Sequence, residues 1–249
     1  MRLERSIDVH CHCLPGLDDG PGTLDEAVEL CRWLAADGIT SVVATPHQLG
    51  RYDLGNSAAK IAERLALLEE RLEREAIPLE VVPGADVRID ERLPRLVSTG
   101  EVMTVGDLGA HLLLELPNSN FCEPRPVIAQ LEAMGVQCIM THPERHRYLN
   151  GSIDVVRGWI REGAVVQITA GSLLGDFGRY AFDYGWALVG EGLVSLVATD
   201  AHDTRRRPPR LTDVCESLDR YVGADRTRLL CGVNPLEIWR GNRLTPPPV

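Results

Sequence analysis

Asp8-Val9-His10-Cys11-His12, followed after Cys13 by Leu14-Pro15-Gly16-Leu17-Asp18-Asp19-Gly20, is the stretch from which the rest of the chain can be read. Ile7 and Val9 mark a short apolar strand, and side chains two apart on a strand share a face, so His10 and His12 point the same way. Two neutral imidazoles converging at a strand end suit a divalent ion such as zinc, manganese or iron. Taken alone, the pair also fits two ordinary strand histidines. The Pro15-Gly16 turn and the Asp18-Asp19 pair favour the metal, because the chain leaves the strand through a loop carrying hard oxygen ligands. Cys11 and Cys13 alternate with the histidines and are expected on the opposite face.

Outward from this stretch, strand and helix alternate. Thr23 and Glu26 have the spacing of a capping box and open a helix through Ala27, Leu30, Cys31 and Leu34 to Gly38. Residues 39–45 form a β-branched second strand that ends in Thr45-Pro46-His47. A long helix over 58–75 sets Ile61, Leu65, Leu68 and Leu72 on one face. The third strand, 79–82, runs into Pro83-Gly84-Ala85-Asp86. Further strands are expected at 110–116, 136–141, 164–169 and 194–198, with helices at 126–134, 153–162 and 180–190. Residues 90–107 read as a short helix and an irregular connection. Seven strands alternating with helices predict an α/β fold, barrel-like, with a parallel sheet. One domain is expected over 1–249, with the Pro-rich residues 245–249 as a frayed tail.

Composition narrows the function. The 249 residues, 44% hydrophobic and 25% charged, are those of a soluble globular protein, and no apolar run reaches membrane-spanning length, so no membrane insertion is expected. Residues 1–5 lack a secretory apolar segment, which predicts a cytoplasmic location. A net charge of −10 argues against a nucleic-acid-binding surface, although Arg205-Arg206-Arg207 leaves room for a local basic pocket. Seven cysteines without a CxxC pair suggest neither a disulfide framework nor a zinc ribbon, and most should be buried thiols.

The distribution of candidate ligands carries the functional reading. His10, His12, His47, Asp86, Glu115, His142, Asp200 and His202 all lie at or just beyond expected strand C-termini, where α/β barrels build active sites from converging loops. Glu115 is a carboxylate in a Leu-rich run, costly there unless paired or metal-bound. His111 stands at the start of its strand and is read as structural. Imidazole and carboxylate without thiolate suit two or three ions with open positions, not a closed structural zinc site.

These segments, together with Ala44-Thr45-Pro46-His47, Thr141-His142-Pro143-Glu144-Arg145 and Thr199-Asp200-Ala201-His202, resemble the polymerase-and-histidinol-phosphatase (PHP) superfamily. Within it they look most like the capsule-type, CpsB/CapC-like bacterial metal-dependent tyrosine phosphatases. The resemblance covers nearly the whole chain in order, and the His-Cys-His-Leu-Pro-Gly-Leu-Asp-Asp-Gly run belongs to that branch, apart from Cys13, which follows His12 here. It implies a distorted (β/α)7 barrel of the TIM-like PHP type, with two or three divalent ions. Manganese is the expected ion, with iron, zinc, cobalt or magnesium as alternatives. The implied substrate is a phosphotyrosyl protein, a bacterial tyrosine autokinase of exopolysaccharide or capsule synthesis.

Carried over by position, the resemblance gives His10, His12 and Asp200 to one ion, Glu115 and His142 to a second, and Asp19, His47 and His202 to a third. Asp86 stands where the family has a bridging glutamate. Arg145 and Arg207 match arginines placed on the substrate phosphate, whereas Arg205 and Arg206 read as a solvated pair. His146, where the family often has asparagine, stays outside the ligand set. The implied chemistry is in-line attack by metal-activated hydroxide, with guanidinium forks on the phosphoryl oxygens. The Cys-x5-Arg loop of thiol phosphatases is absent, since no cysteine has an arginine six residues on. Two alternatives stay open: a small-molecule PHP phosphoesterase of the histidinol-phosphate type, and a metal-bound regulatory partner of a kinase without turnover.

Overall fold

The computed structural model describes residues 6–53 and 55–249; residues 1–5, read above for a secretory segment, lie outside the described residues. The strand segments are β1 (Ile7–Cys11), β2 (Ser41–Ala44), β3 (His47–Gln48), β4 (Glu80–Pro83), β5 (Asp86–Arg88), β6 (His111–Glu115), β7 (Gln137–Thr141), β8 (Val165–Thr169) and β9 (Leu196–Ala198). Every pairing between them is parallel. Nine segments replace the expected seven because two strands are interrupted. Ser41 pairs with Glu80 and His47 with Asp86, so β2–β3 and β4–β5 keep one register across their breaks. Pro46 has no N–H for the ladder. At Gly84 a Cβ would lie 2.7 Å from Val43 Cγ1, so only glycine lets the two strands approach this closely.

The pairings run β1-β2-β4 in one sheet and β3-β5-β6-β7-β8-β9 in the other. The end of β9 then returns to β1, where Asp200 N donates to His10 O at 2.8 Å and His12 N to Ala201 O at 2.9 Å. Buried Asp8 fastens the same seam by accepting the backbone N–H of Thr199 at 3.0 Å and its hydroxyl. Burial pushes the Asp8 carboxyl up to about 7. The result is an α/β fold of parallel sheets, TIM-like in outline, in which the end of β9 meets β1 through a few bonds.

Helices cover the outside: α1 (Leu24–Ala36), α2 (Ala58–Arg74), α3 (Leu93–Ser98), α4 (Arg125–Ala133), α5 (Ile153–Arg161), α6 (Ala170–Leu174), α7 (Gly178–Gly190), α8 (Leu211–Val222), α9 (Ala224–Arg228) and α10 (Asn234–Trp239). The capping box at Thr23 and Glu26 is present, and Ile61, Leu65, Leu68 and Leu72 are the buried face of α2. The sequence reading did not reach α6 or α8 to α10. No helix of the described residues is long and apolar enough to cross a membrane.

One apolar cluster fills the barrel interior, with Val9, Val43, Leu113, Ile139, Val165, Leu196 and Ala198 from the strands and Ile238 of α10 among its members. Two residues further along the same strand faces stand Glu115, Thr141, Gln167 and Asp200. The inward row therefore turns from apolar to polar toward the strand C-termini. In β1 strict alternation would set the histidines opposite Val9. A register shift between Asp8 and Cys11 changes the parity, so Ile7 and Val9 join the interior while Cys11 and Cys13 pack in the outer cluster with Leu30 and Leu34.

Candidate metal centre

The polar end of the barrel gathers all nine candidate ligands. Four overlapping groups have ligand atoms within 4.8 Å of one another: His10, His12 and Asp200; His12, Asp19, His47 and His202; His10, Asp86 and His142; His47, Asp86 and Glu115. Glu115 and His142, placed on one ion by resemblance, fall in different groups joined through Asp86. His142 and Asp200 adopt left-handed backbone, φ 34° and 52°, at the points where β7 and β9 end. Such strained turns persist where the surroundings hold them, and sites of chemistry are common among those places.

Neighbouring groups orient the rings. His10 Nδ1 lies 3.0 Å from Gln167 Oε1, His12 Nδ1 2.7 Å from Asp18 Oδ2, and His202 Nδ1 3.0 Å from the Asp200 carbonyl. With each Nδ1–H donated to these oxygens, the Nε2 lone pairs face the centre. Asp18 also accepts the His47 N–H at 3.0 Å, so it ties the loop after β1 to β3. Burial lowers the affinity of His12 for a proton, but Asp18 and Asp200 outweigh it and raise its pKa to about 10. Burial, then repulsion from Asp86, pushes Glu115 up to about 7. Asp86 resists its own burial and stays well below the ordinary carboxylate range because His10, His142 and His47 surround it. The cluster is short of positive charge.

A divalent ion fits this donor set. His10 Nε2 and His12 Nε2 stand 3.2 Å apart, and Asp200 Oδ1 lies 3.3 and 3.4 Å from them. His47 Nδ1, Asp86 Oδ2, His142 Nδ1 and His202 Nε2 are buried without a hydrogen-bond partner. Lone pairs held this close, and polar atoms left unmatched in a protein interior, are costly unless a cation lies among them. Asp86 is central to the arrangement. Its Oδ1 accepts from Thr141 Oγ1 at 3.2 Å, while Oδ2 lies 3.4 Å from His47 Nδ1, 3.7 Å from His10 Nε2 and 3.8 Å from His142 Nε2. Asp86→Asn, which keeps the volume and removes the charge, is expected to lose at least one equivalent of bound metal and most turnover. Asp86→Glu should hold metal more tightly, since the longer side chain spans two ions about 3.5–4 Å apart with less strain. Full metal stoichiometry and full activity in Asp86→Asn would take the residue out of the centre.

Beside the ligands opens a cleft of about 200 Å³, lined by Tyr52, Arg88, Asn118, Arg145 and Arg207 among others. Asp200 divides its oxygens: Oδ1 faces the histidines, and Oδ2 takes Arg145 Nη1 and Arg207 Nη2, each at 2.5 Å. The Arg145 guanidinium lies over the Phe177 ring at 4.3 Å and that of Arg207 at 5.6 Å. Arg88 Nη2 holds Glu115 Oε2 at 2.8 Å. Tyr52 stacks on His47 with an interplanar angle of 14°. Arg205 and Arg206 are exposed. His111 is buried at the start of β6 and belongs to none of the ligand groups, and His146 stacks on Tyr148, also outside them.

Asp18, Gln167, Arg88 and Phe177 were missed as site residues. For Asp18 the signal was its place beside Asp19, and for Gln167 a polar residue inside the apolar run Val165-Val166-Gln167-Ile168. Phe177 and Arg88 carry no comparable mark.

A family model described as capsular polysaccharide synthesis, CpsB/CapC, matches residues 6–240. The tyrosine-protein phosphatase YwqE of Bacillus subtilis is 32% identical over 228 residues, covering 90% of this chain and 88% of that one. The tyrosine-protein phosphatase CpsB of Streptococcus pneumoniae is 23% identical over 238 residues, 93% of this chain and 97% of its own. Among crystal structures of YwqE from B. subtilis and CpsB from S. pneumoniae, described as unique metal-dependent tyrosine phosphatases, one chain superposes with a TM-score of 0.91 at 30% identity, covering 98% of this chain and 99% of that chain. An organophosphorus hydrolase from Deinococcus radiodurans, 16% identical with a TM-score of 0.59 over 94% of this chain and 92% of its own, shares the fold alone.

Proposed function

This chain belongs to the CpsB/CapC capsular polysaccharide synthesis family, and we propose that it is a metal-dependent protein-tyrosine phosphatase whose substrate is a bacterial tyrosine autokinase of exopolysaccharide or capsule synthesis. The observation that carries this reading is one cleft lined both by the candidate ligands His47, Glu115, His142 and Asp200 and by Arg145 and Arg207.

His10, His12, Asp19, His47, Asp86, Glu115, His142, Asp200 and His202 would hold two or three divalent ions, manganese in the first instance. When bound, the ions supply Lewis-acid charge to the phosphoryl oxygens and lower the pKa of the attacking water. The protein does the rest by positioning. Arg145 and Arg207 offer guanidinium forks to the equatorial oxygens, held in place by the Phe177 face below them. Arg88 and Asn118 line the same cleft, and Leu49 and Tyr52 give its wall an apolar stretch suited to an aryl leaving group. Of the described residues that line it, none is a cysteine, and no thiol nucleophile enters the scheme.

The test is turnover by purified, metal-loaded protein on phosphotyrosyl peptides against histidinol phosphate. Peptides are expected to be hydrolysed with the higher kcat/KM. Preference for histidinol phosphate would assign a small-molecule phosphoesterase, and turnover of neither, with metal bound, a regulatory protein.

A further inference from the structure

His47 lacks the hydrogen bond that orients its neighbours. His10, His12 and His202 each have Nδ1 fixed by an oxygen, from Gln167, Asp18 and the Asp200 carbonyl. The Nδ1 of His47 is buried without a hydrogen-bond partner among the described residues, and its Nε2 lies 3.5 Å from Asp19 Oδ1, itself a candidate ligand atom. These two ligands are also the open side of the centre. The His47 side chain is 15% exposed and that of Asp19 45%, against 6% or less for the other seven candidates. An imidazole binds an ion through a lone pair in the plane of its ring, so something must set that plane. For His47 it is Tyr52, whose ring lies 5.6 Å away between centroids and only 14° from parallel.

The chain after β3 is built to hold that ring. Leu49 and Gly50 both take left-handed backbone, φ 64° and 57°, and lead into the single helical turn Gly50–Tyr52. A Cβ at Gly50 would lie 3.1 Å from Arg88 Cγ, so the turn packs directly on the cleft wall. Asn56 fastens the far end: its Nδ2 donates to Leu17 O at 2.9 Å and to His47 O at 2.8 Å, and its carbonyl accepts from Gln48 Nε2 at 2.8 Å. Arg51 completes the arrangement. Its Nη2 donates to the Tyr52 hydroxyl at 2.6 Å and lies 3.5 Å from Asp19 Oδ2, and its guanidinium carbon stands 4.7 Å from the Tyr52 centroid. Asp19, Arg51, Tyr52 and His47 thus make a closed circuit of contacts, with Asp19 Oδ2 turned to the arginine and Oδ1 to the histidine.

We propose that Tyr52 is a positioning residue of the metal centre: its ring sets the plane of His47 and, through Arg51, steadies Asp19, so that the turn after β3 governs retention of the ion these two ligands share with His12 and His202. The proposal rests on the metal-centre reading above and not on the identity of the substrate. The experiment titrates metal-free protein with Mn²⁺, counting free ion by electron paramagnetic resonance and bound ion by elemental analysis. In Tyr52→Ala one class of bound ion should move to roughly tenfold higher free Mn²⁺, the low end of what loss of a ligand's outer partner costs, while the remaining ions bind as in wild type. Tyr52→Phe keeps the ring and should titrate like wild type. If Tyr52→Ala fails to fold, Tyr52→Leu, which keeps apolar bulk without a stacking plane, should show the same selective shift. A wild-type titration in the variant without the ring, equal weakening of every ion, or a Phe variant as weak as the Ala variant would overturn the proposal. Failure of the underlying reading looks different: wild-type protein then binds no divalent ion, which would remove the centre and its brace together. No substrate enters the titration, so the outcome of the phosphatase assay does not bear on it.

Discussion

Exhaustive chelation will take phosphatase turnover to the assay background, and Mn²⁺ or a similar divalent ion will restore it. The expectation follows from the lack of a cysteine among the described residues that line the cleft and from a donor set that does not balance by itself. Four buried nitrogen and oxygen atoms of His47, Asp86, His142 and His202 lack partners, and two imidazole Nε2 atoms face each other at 3.2 Å. A small thiol reagent should leave the chemical step intact, because Cys11, Cys13, Cys31, Cys138 and Cys231 are buried and the exposed thiol, Cys122, does not line the cleft. Activity that persists when metal analysis reads zero would defeat the assignment. Loss of activity on treatment with the small reagent, at full metal content, would point to a thiol step instead.

Arg145→Ala is expected to lower kcat by about 10² to 10³, roughly 2.7 to 4 kcal/mol of transition-state stabilisation, with metal content unchanged. The geometry separates the two roles. Arg145 approaches Asp200 through Oδ2, whereas the oxygen facing His10 and His12 is Oδ1, so the substitution leaves the inward oxygen where it is. Stacking on Phe177 holds the guanidinium plane at the cleft wall. Arg145→Lys keeps the charge and loses both the fork and the stacked plane, so it should recover only part of the rate. Wild-type kinetics in Arg145→Ala would mean that the side chain serves Asp200 alone. A drop in bound metal would mean that it braces a ligand.

Much of this was legible along the chain because periodicity is a local property. The seven-strand alternation, the capping box at Thr23 and Glu26, and the apolar face of α2 are set by residues within a few positions of one another, and the structure bears them out. Strand-end placement of His10, His12, His47, Asp86, Glu115, His142, Asp200 and His202 was readable for the same reason, since in a parallel barrel one end of every strand opens on one space. Of the four pieces missed, α6, α9 and α10 are short, whereas α8 was readable from the helical spacing of its buried Leu211, Val214 and Leu218. Ile238 of α10 is buried only because the barrel's apolar interior lies above it.

By itself the sequence determined the order of elements, the identity of the ligand-type residues and the end of the barrel that carries them. Tertiary structure decided how they meet. The register shift in β1, which turns His10 and His12 into the same interior as Val9, arises from pairing with β2 and is invisible in the alternation of residues. Only folding brings Asp18 to His12, Gln167 to His10 and Phe177 beneath two arginines, across separations that no local pattern encodes. Sharing among ions was likewise decided in space, because Asp86 joins Glu115 to one group and His142 to another. The physical reason is range: propensity and patterning act over a few residues, whereas coordination, burial and charge compensation depend on distances between strands that the chain visits far apart.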